Sequence, residues 1–168
     1  MSTQPITGLS LTSHFGNLRL RPTEAIDIPF VITAEQDPVN VPFIKQWTCE
    51  EHLSALDDPN IGHWIVEATS DNFQLGYLIA NGLCNSNGKI YLKRVVITRK
   101  DQGHGRQALR AFHQMMFNRL GFDFIWLCVY PHNMRARHLY SSEGYIEIGL
   151  SPQEKHIMMS LKKQQGHA

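Results

Sequence analysis

Three features are scarce in this sequence: closely spaced cysteines, long apolar runs and a surplus of either charge. The three cysteines, Cys49, Cys84 and Cys128, lie far apart. No C-x-x-C pair exists, which excludes a zinc ribbon and a thioredoxin-type motif. Isolated thiols are typical of a reducing compartment, so we expect a cytoplasmic protein without disulfide bonds.

No stretch of the chain approaches the ~20 apolar residues that a membrane-spanning helix needs. The N-terminus also lacks the basic start and apolar run of a secretory signal. Lys plus Arg total 16 against 15 Asp plus Glu, whereas nucleic acids and anionic membranes attract proteins with a surplus of cations. We therefore expect neither a nucleic-acid partner nor a membrane partner.

The composition is that of an ordinary folded domain. Of the 168 residues, 42% are hydrophobic, which is enough to bury one core. The nine histidines are scattered, without the H-x-x-x-H or H-E-x-x-H spacing of a helical metal site. We therefore predict no metal.

Hydrophobic periodicity and turn residues divide the chain into alternating elements. The predicted strands are 18–21, 63–68, 73–80, 89–97, 122–130, 145–150 and 155–162, and the predicted helices are 23–34, 42–56, about 104–120 and 133–143. An antiparallel half followed by a β-helix-β half makes a single mixed α/β (α+β) domain. We place that domain at 17–162, after a flexible leader at 1–16 and before a tail at 163–168.

The most informative segment joins a strand to a helix through two glycines, Gly103 and Gly105. The first turn of a helix has unpaired N–H groups and the positive end of the helix dipole. Glycines let an anion approach that backbone closely. The loop therefore predicts a phosphate-bearing ligand, with Lys100 and Arg106 as added cations.

Two other interpretations of the loop stay open on the glycines alone. Gly103, Gly105 and Ala108 also fit the dinucleotide fingerprint G-x-G-x-x-G/A. That fingerprint is expected after the first strand of a fold, with a carboxylate following about 20 residues later. Here at least three strands come first, and the stretch 126–130 around Cys128 contains no carboxylate. The second alternative is a glycine-rich helix start that binds nothing. It is disfavoured because glycines destabilise a helix unless something requires them.

A second motif follows the next strand, with fixed residue types at Asn133, Ala136, Leu139, Tyr140, Gly144 and Tyr145. With this pattern downstream of the glycine loop, the chain resembles the GNAT family of N-acetyltransferases over about 18–162. The family's loop pattern is Q/R-x-x-G-x-G/A. Lys100 departs from it, since lysine lacks the planar, multidentate geometry of arginine.

The resemblance implies a GNAT-like fold: a mixed sheet of six or seven strands with strands four and five splayed apart, flanked by about four helices. It also implies acetyl-CoA as co-substrate. The implied cofactor-binding residues are the loop residues Lys100, Gln102, Gly103, His104, Gly105 and Arg106, together with Asn133 and the strand residues Val95, Val96 and Ile97. In this family the loop amides hold the pyrophosphate, and the pantetheine arm pairs with the strand.

The implied reaction is direct attack of a primary amine on the acetyl thioester in a ternary complex. Tyr140 matches the family's tyrosine near the departing sulfur, where we expect it to act as general acid or hydrogen-bond donor to the thiolate. The amine must lose a proton before attack. Glu67 is a possible base, with His52 and Glu51 as alternatives.

The acceptor is not identified by the sequence. Trp47 and Trp64 could line its pocket or pack in the core. Because strand neighbours alternate, we expect at most one of Lys93 and Arg94 to face the cleft. The only hint of a cationic acceptor comes from the acidic residues Glu50, Glu51, Asp57 and Asp58. A non-catalytic acyl-CoA sensor of the same fold is the alternative function, and a homodimer is possible.

Overall fold

The structure, a computed structural model, describes residues 11–153 and 155–165. Its centre is a mixed sheet of eight strands in the order β1-β2-β3-β4-β5-β6-β8-β7. The strands are β1 Ser13–Phe15, β2 Leu18–Pro22, β3 Ile61–Ala68, β4 Gln74–Asn81, β5 Lys89–Ile97, β6 Phe124–Val129, β7 Ile146–Leu150 and β8 Ile157–Lys162. The helices are α1 Ile28–Gln36, α2 Cys49–Asp57, α3 His104–His113 and α4 Met134–Ser142.

The predicted α/β class and the four helices are confirmed, but the sheet has one strand more than expected. The additional strand β1 pairs with β2 inside the segment predicted to be a flexible leader. That expectation therefore does not hold for 13–15, and residues 1–10 lie outside the described part. At the other end, residues 163–165 carry no helix or strand, and 166–168 are not described.

The second predicted helix begins later than the sequence pattern indicated. Residues Val41–Phe43 form only a short 3-10 turn, and the α-helix starts after Thr48. The Thr48 hydroxyl accepts the Glu51 N–H, and the Glu51 carboxylate accepts the Thr48 N–H. This reciprocal capping box sets the helix start. Trp47 consequently lies in the extended segment that leads into the helix.

The parallel strands β5 and β6 pair only at their beginnings. Their register runs from Lys89 opposite Phe124 to Tyr91 opposite Trp126, and no later residue of either strand pairs with the other. The additional strand β1 shifts the numbering by one, so the predicted strands four and five are β5 and β6. Their predicted splaying is thus confirmed. The rings of Tyr91 and Trp126 stack with centroids 4.2 Å apart at the point where the strands separate.

Two apolar clusters cover the two faces of the sheet. The larger includes the inner face of α3 and contains Trp64, which is 1% exposed and makes an edge-on contact with Phe112. The smaller joins Val31 and Ala34 of α1 to Ile65, Tyr77 and other residues of the sheet. Trp64 is therefore a core residue, and of the two tryptophans considered for the acceptor pocket only the half-buried Trp47 stays accessible.

Candidate active site

The glycine loop places the uncapped N-terminus of α3 beside the opening that β5 and β6 leave where they diverge. Gly103 is the N-cap of α3 in a left-handed conformation, φ 78°, and no side chain caps that helix end. By contrast, Thr48 and Asn133 cap α2 and α4 with side-chain oxygens. The N–H groups of the first turn of α3 are therefore directed at whatever lies in front of the loop.

The two glycines of the loop serve different purposes. A Cβ at Gly103 would meet nothing within 4 Å, so its positive φ is what favours glycine there. A Cβ at Gly105 would lie 3.0 Å from the Leu139 side chain. Glycine at 105 thus lets α4 pack closely on the start of α3. This contact brings the helix that carries Tyr140 against the loop.

The two predicted cations of the loop already have protein partners. Arg106 pairs with the Glu143 carboxylate and donates to the Ser142 hydroxyl at 2.9 Å. The Lys100 ammonium donates to Asn40 at 2.8 Å, and burial lowers the pKa of Lys100. The attraction of the loop for an anion therefore rests first on backbone N–H groups. The buried Nδ1 of His104 has no partner among the described residues, which leaves one more polar group at this end of the helix unsatisfied.

Past Tyr91, the edge of β5 that faces β6 has no strand partner in the described chain. This edge includes Val95, Val96 and Ile97, the residues predicted to pair with a pantetheine arm. Unpaired strand edges recruit extended ligands through backbone hydrogen bonds. The geometry therefore fits the expected cofactor at both of its polar segments.

Tyr140 lies on α4, half-buried against the larger core cluster. Burial, together with the neighbouring Tyr91 phenol, raises the pKa of Tyr140 to about 12. Asn133 caps this helix by accepting the Ala136 N–H at 3.2 Å. Its observed role is thus to start the helix that positions Tyr140, whereas a direct contact with cofactor stays a prediction.

A β-bulge changes the direction of the side chains in β5. Leu92 pairs with Ala80 and Arg94 with Ile79, so Lys93 is the extra residue. The Lys93 ammonium lies 5.6 Å from the Trp47 ring centroid, and the Arg94 guanidinium carbon lies 5.0 Å from it. Both side chains therefore lie on the same face of the strand. The bulge breaks the strict alternation that the expectation assumed, and Arg94 is buried against Glu35; the expectation that at most one of the two faces the cleft stays a prediction.

Glu35 is the centre of a buried polar cluster that includes Arg94 and the backbone of Trp47. Its carboxylate is 1% exposed, and it accepts hydrogen bonds from His52 at 2.9 Å, Tyr77 at 2.7 Å and Arg94 at 2.5 Å. Its second oxygen accepts the Trp47 backbone N–H at 3.2 Å. Burial opposes ionisation, but these donors and the Arg94 charge hold the pKa of Glu35 below its ordinary value. Glu35 thereby ties α1, the Trp47 segment and β5 together.

A chain of hydrogen bonds extends from Glu35 into the core. His52 Nδ1 lies 3.0 Å from His63 Nε2, and His63 Nδ1 lies 2.8 Å from the Thr23 hydroxyl. All of these groups are satisfied when Thr23 donates to His63, His63 to His52, and His52 to Glu35. Burial, and then the neighbouring His52, lowers the pKa of His63 to about 3, so His63 is neutral.

None of the three predicted bases is open to the space between β5 and β6. Glu67 is 3% exposed and pairs with Arg19 at 2.6 Å and Arg21 at 2.9 Å. By register, Glu67 is two strands away from Arg94 across the sheet and four residues away along the strand direction. Together these displacements amount to about 17 Å. His52 is fully buried in the Glu35 cluster. Glu51 is engaged in the capping box of α2.

The model of the Acetyltransferase (GNAT) family matches residues 28–145, well over half of the chain. The chain belongs to the GNAT acetyltransferase family. Members of this family generally use acetyl-CoA, in agreement with the loop and the open strand edge. No curated protein is significantly similar to the chain in sequence.

Solved structures share the fold at low sequence identity. A Vibrio cholerae protein described as a ribosomal-protein-serine acetyltransferase superposes with a TM-score of 0.76 at 17% identity, over 96% of this chain and 100% of its own. The dodecameric spermidine N-acetyltransferase of the same organism gives 0.71 at 18% identity, over 87% and 94%. A GNAT acetyltransferase from Bacillus anthracis gives 0.75 at 14% identity, over 90% and 98%. Such distant similarity establishes the shared fold.

Sequence reasoning missed Glu35 and the Tyr91–Trp126 stack. The carboxylate at 35 lies four residues after the buried Val31, on the inner face of a mostly apolar helix, and that position was a usable signal. Tyr91 and Trp126 are 35 positions apart, so their contact depends on the parallel register of β5 and β6. No residue pattern within one element could reveal it.

Two buried histidines should make the protein sensitive to mild acid. Burial lowers the pKa of His113 to about 4 and that of His63 to about 3. The unfolded chain takes up these protons as pH falls through about 6.5, whereas the native state does not. Between pH 7.5 and 5.5 each histidine should therefore remove about 1.4 kcal/mol from the free energy of unfolding.

Urea unfolding at the two pH values measures this loss, which we expect to be about 3 kcal/mol in total. His113→Gln should reduce the loss by about half, whereas the exposed His138→Gln should leave it unchanged. Equal stability at both pH values would contradict the assignment of buried neutral histidines.

Gly103→Asp should separate helix stability from anion binding. Aspartate and asparagine adopt the left-handed conformation at a modest cost relative to glycine, so the unliganded melting temperature should fall slightly and by the same amount in Gly103→Asp and Gly103→Asn. The charge of the Gly103→Asp variant would repel a pyrophosphate in front of α3, and the rise in melting temperature on adding acetyl-CoA should disappear. The uncharged Gly103→Asn should keep most of that rise. If Gly103→Asp retained the full rise, the loop would not be the pyrophosphate site.

Proposed function

We propose that the protein is an acetyl-CoA-dependent N-acetyltransferase that transfers the acetyl group to a primary amine by direct attack in a ternary complex. The observation that carries the proposal is the position of Tyr140 on the helix that packs on the uncapped loop through Gly105 and Leu139. The loop amides of 102–106 would hold the pyrophosphate, and the open edge at Val95, Val96 and Ile97 would hold the pantetheine arm.

Acetyl-CoA supplies an activated thioester, so the protein has to orient the amine and stabilise the charges that develop. Holding the two reactants in line converts a bimolecular step into a unimolecular one. A backbone N–H at the bulge near Lys93–Val95 is suited to the developing oxyanion, because a bulge turns a peptide group out of the ladder. No metal is invoked, and no group of three or more possible metal ligands occurs among the described residues.

The environment of Tyr140 favours hydrogen bonding over full proton donation. With its pKa near 12, transfer of the phenol proton to a thiolate of pKa about 8.5 would cost about 5 kcal/mol. A phenol held in its protonated form instead donates a hydrogen bond to the thiolate as the carbon–sulfur bond breaks. The proton that the sulfur finally takes up can come, through the same hydroxyl, from the protonated nitrogen of the tetrahedral intermediate as the amide forms and the thiolate leaves.

The base is best assigned to solvent on the open side of the site. Glu67 is buried, and the guanidinium groups of Arg19 and Arg21 occupy both of its oxygens. We propose that the acceptor amine reaches the thioester after losing its proton to water. Cytoplasmic localisation and a homodimer stay predictions. No described helix has the length and apolar character needed to cross a membrane.

Tyr140→Phe should keep the rise in melting temperature caused by acetyl-CoA but lower turnover by roughly tenfold or more, because the thiolate loses its hydrogen bond. The measurement is free thiol released with a panel of primary amines. Tyr145→Phe is the matched control, since Tyr145 lies 5.6 Å from Tyr140 but bonds to His113 in the core. It should cost stability and leave turnover within about twofold. Wild-type turnover in Tyr140→Phe would show that the phenol is dispensable, and no thiol release with any amine would favour the acyl-CoA sensor.

Glu67→Gln tests the assignment of the base. We expect the pH of half-maximal turnover to stay where it is in the wild type, while the free energy of unfolding falls by about 2 kcal/mol because Arg19 and Arg21 lose a charged partner. A shifted pH profile at unchanged acetyl-CoA binding would restore Glu67 as the base.

A further inference from the structure

We propose that Phe43 and His132 determine the specificity of the reaction for an amine over water, because their ring contact closes the opening between β5 and β6 on the α1 side. This inference rests on the proposed N-acetyltransferase function and assigns two specificity-determining residues to the same site. It follows from the path of the strap, residues 40–47, which lies between α1 and α2.

The strap lies on the face of the sheet opposite the glycine loop. Ile44 and Trp47 pack against the smaller apolar cluster, which joins α1 to the sheet. Leu139 and Tyr140 of α4 pack against the larger cluster on the other face, together with the inner face of α3. We expect the cofactor on the α3 side, so the strap borders the opening from the side that is left to the acceptor.

Two hydrogen bonds fix the strap to the β5 side of the opening. The Asn40 side-chain oxygen accepts from the Lys100 ammonium at 2.8 Å, in the connection that follows β5. The Lys45 backbone oxygen accepts from the Arg94 guanidinium at 2.5 Å. Asn40 is 5% exposed, and its amide nitrogen also donates to the Ala34 carbonyl at 2.8 Å. The strap is thus anchored beside β5 on both sides of Phe43.

Between these anchors the strap reaches across to the β6 side. The Phe43 ring lies 5.5 Å from that of His132, centroid to centroid, a spacing at which rings are in contact. His132 stands in the turn between β6 and α4, where its ring also lies 5.4 Å from that of Tyr130. β5 and β6, both fully described, share no backbone pair past Tyr91 and Trp126. The contact of Phe43 with His132 therefore joins the two sides where the sheet does not.

The strap covers the same stretch of β5 that we expect to bind the pantetheine arm. Its anchors lie at Arg94 and Lys100, and the open edge at 95–97 falls between them. With α3 and α4 on one face and the strap on the other, the arm would lie in an enclosed channel. The approach left to the acceptor is beside the half-buried Trp47. An enclosed site excludes water from the reacting group.

Water would compete with the amine if it reached the thioester. A backbone N–H that stabilises the oxyanion and a phenol that stabilises the thiolate act on either nucleophile. With water, an oxygen–carbon bond forms at the acetyl carbon and the carbon–sulfur bond breaks. One water hydrogen ends on the sulfur and the other stays on acetic acid. An amine that loses its proton before it enters needs no water at the thioester, so a closed strap is compatible with the proposed reaction.

The experiment measures thiol release from saturating acetyl-CoA with no amine added. Phe43→Ala should release thiol about fivefold or more faster than the wild type, because water reaches the thioester through the gap. Phe43→Tyr keeps the ring and should stay at the wild-type rate. His132→Ala should also raise the rate. The double variant should exceed the faster single variant by about twofold at most, because either change opens the same contact.

Phe15→Ala is the matched control. Phe15 is half-buried like Phe43, and its ring lies 5.5 Å from the Arg110 guanidinium carbon, but its strand β1 is four strands away from β5. Its thiol release without amine should equal that of the wild type. All of these variants should keep most of the rise in melting temperature caused by acetyl-CoA. Adding Tyr140→Phe to Phe43→Ala should lower the rate again, because the thiolate loses its hydrogen bond.

An unchanged rate without amine in Phe43→Ala and His132→Ala would overturn the role of the contact, while thiol release with an amine would still support the enzyme. His132 is exposed, so its truncation tests the contact even if Phe43→Ala does not fold. Hydrolysis that persists at the same rate when Tyr140→Phe is added would lie outside the site and would also overturn the inference. No thiol release with any amine, and none with water in any variant, would overturn the proposed function and this inference together.

Discussion

The separation of β5 from β6 after Tyr91 and Trp126 is the constraint on which the rest of the site depends. Two parallel strands that pair over three residues and then diverge leave an open strand edge and an opening through the sheet. An open edge in a sheet is normally a liability. Here it lies between the uncapped end of α3 and the side chain of Tyr140, so the missing hydrogen bonds are those that a ligand in extended conformation can supply.

Two contacts hold the opening in shape. On one face, the close approach of Leu139 to Gly105 fixes α4 against α3, which places Tyr140. On the other face, Glu35 draws the Trp47 segment and Arg94 together through its buried carboxylate. A buried carboxylate with four donors is stable only as a complete set, because removing one partner leaves charge or donors unsatisfied. The side of the opening next to α3 and α4 is thus built by packing, and the side next to α1 by a polar network.

The sequence predicted the α/β class, the order of the long elements and the place of the glycine loop, because these follow from periodicity and from residues with special backbone geometry. It placed the start of the second helix too early, since Pro42 suggested a first turn that the capping box at Thr48 overrides. It treated Lys93 and Arg94 as alternating residues, which the bulge opposite Ile79 and Ala80 prevents. A bulge is a property of two paired strands, and one strand alone does not reveal it.

The amino-acid sequence by itself determined that this chain has a glycine-rich helix start followed by a helix with a tyrosine on its inner face, because glycine spacing and helical periodicity are local properties. Only the tertiary structure decided which charged side chains are paired with an opposite charge or buried. Arg106, Lys100 and Glu67 have the same formal charges in either description, but folding pairs or buries them. Folding also pairs Arg94 with the buried carboxylate of Glu35. Charge compensation acts between residues that are distant in the chain, and so the fold rather than the composition determines what the site can bind.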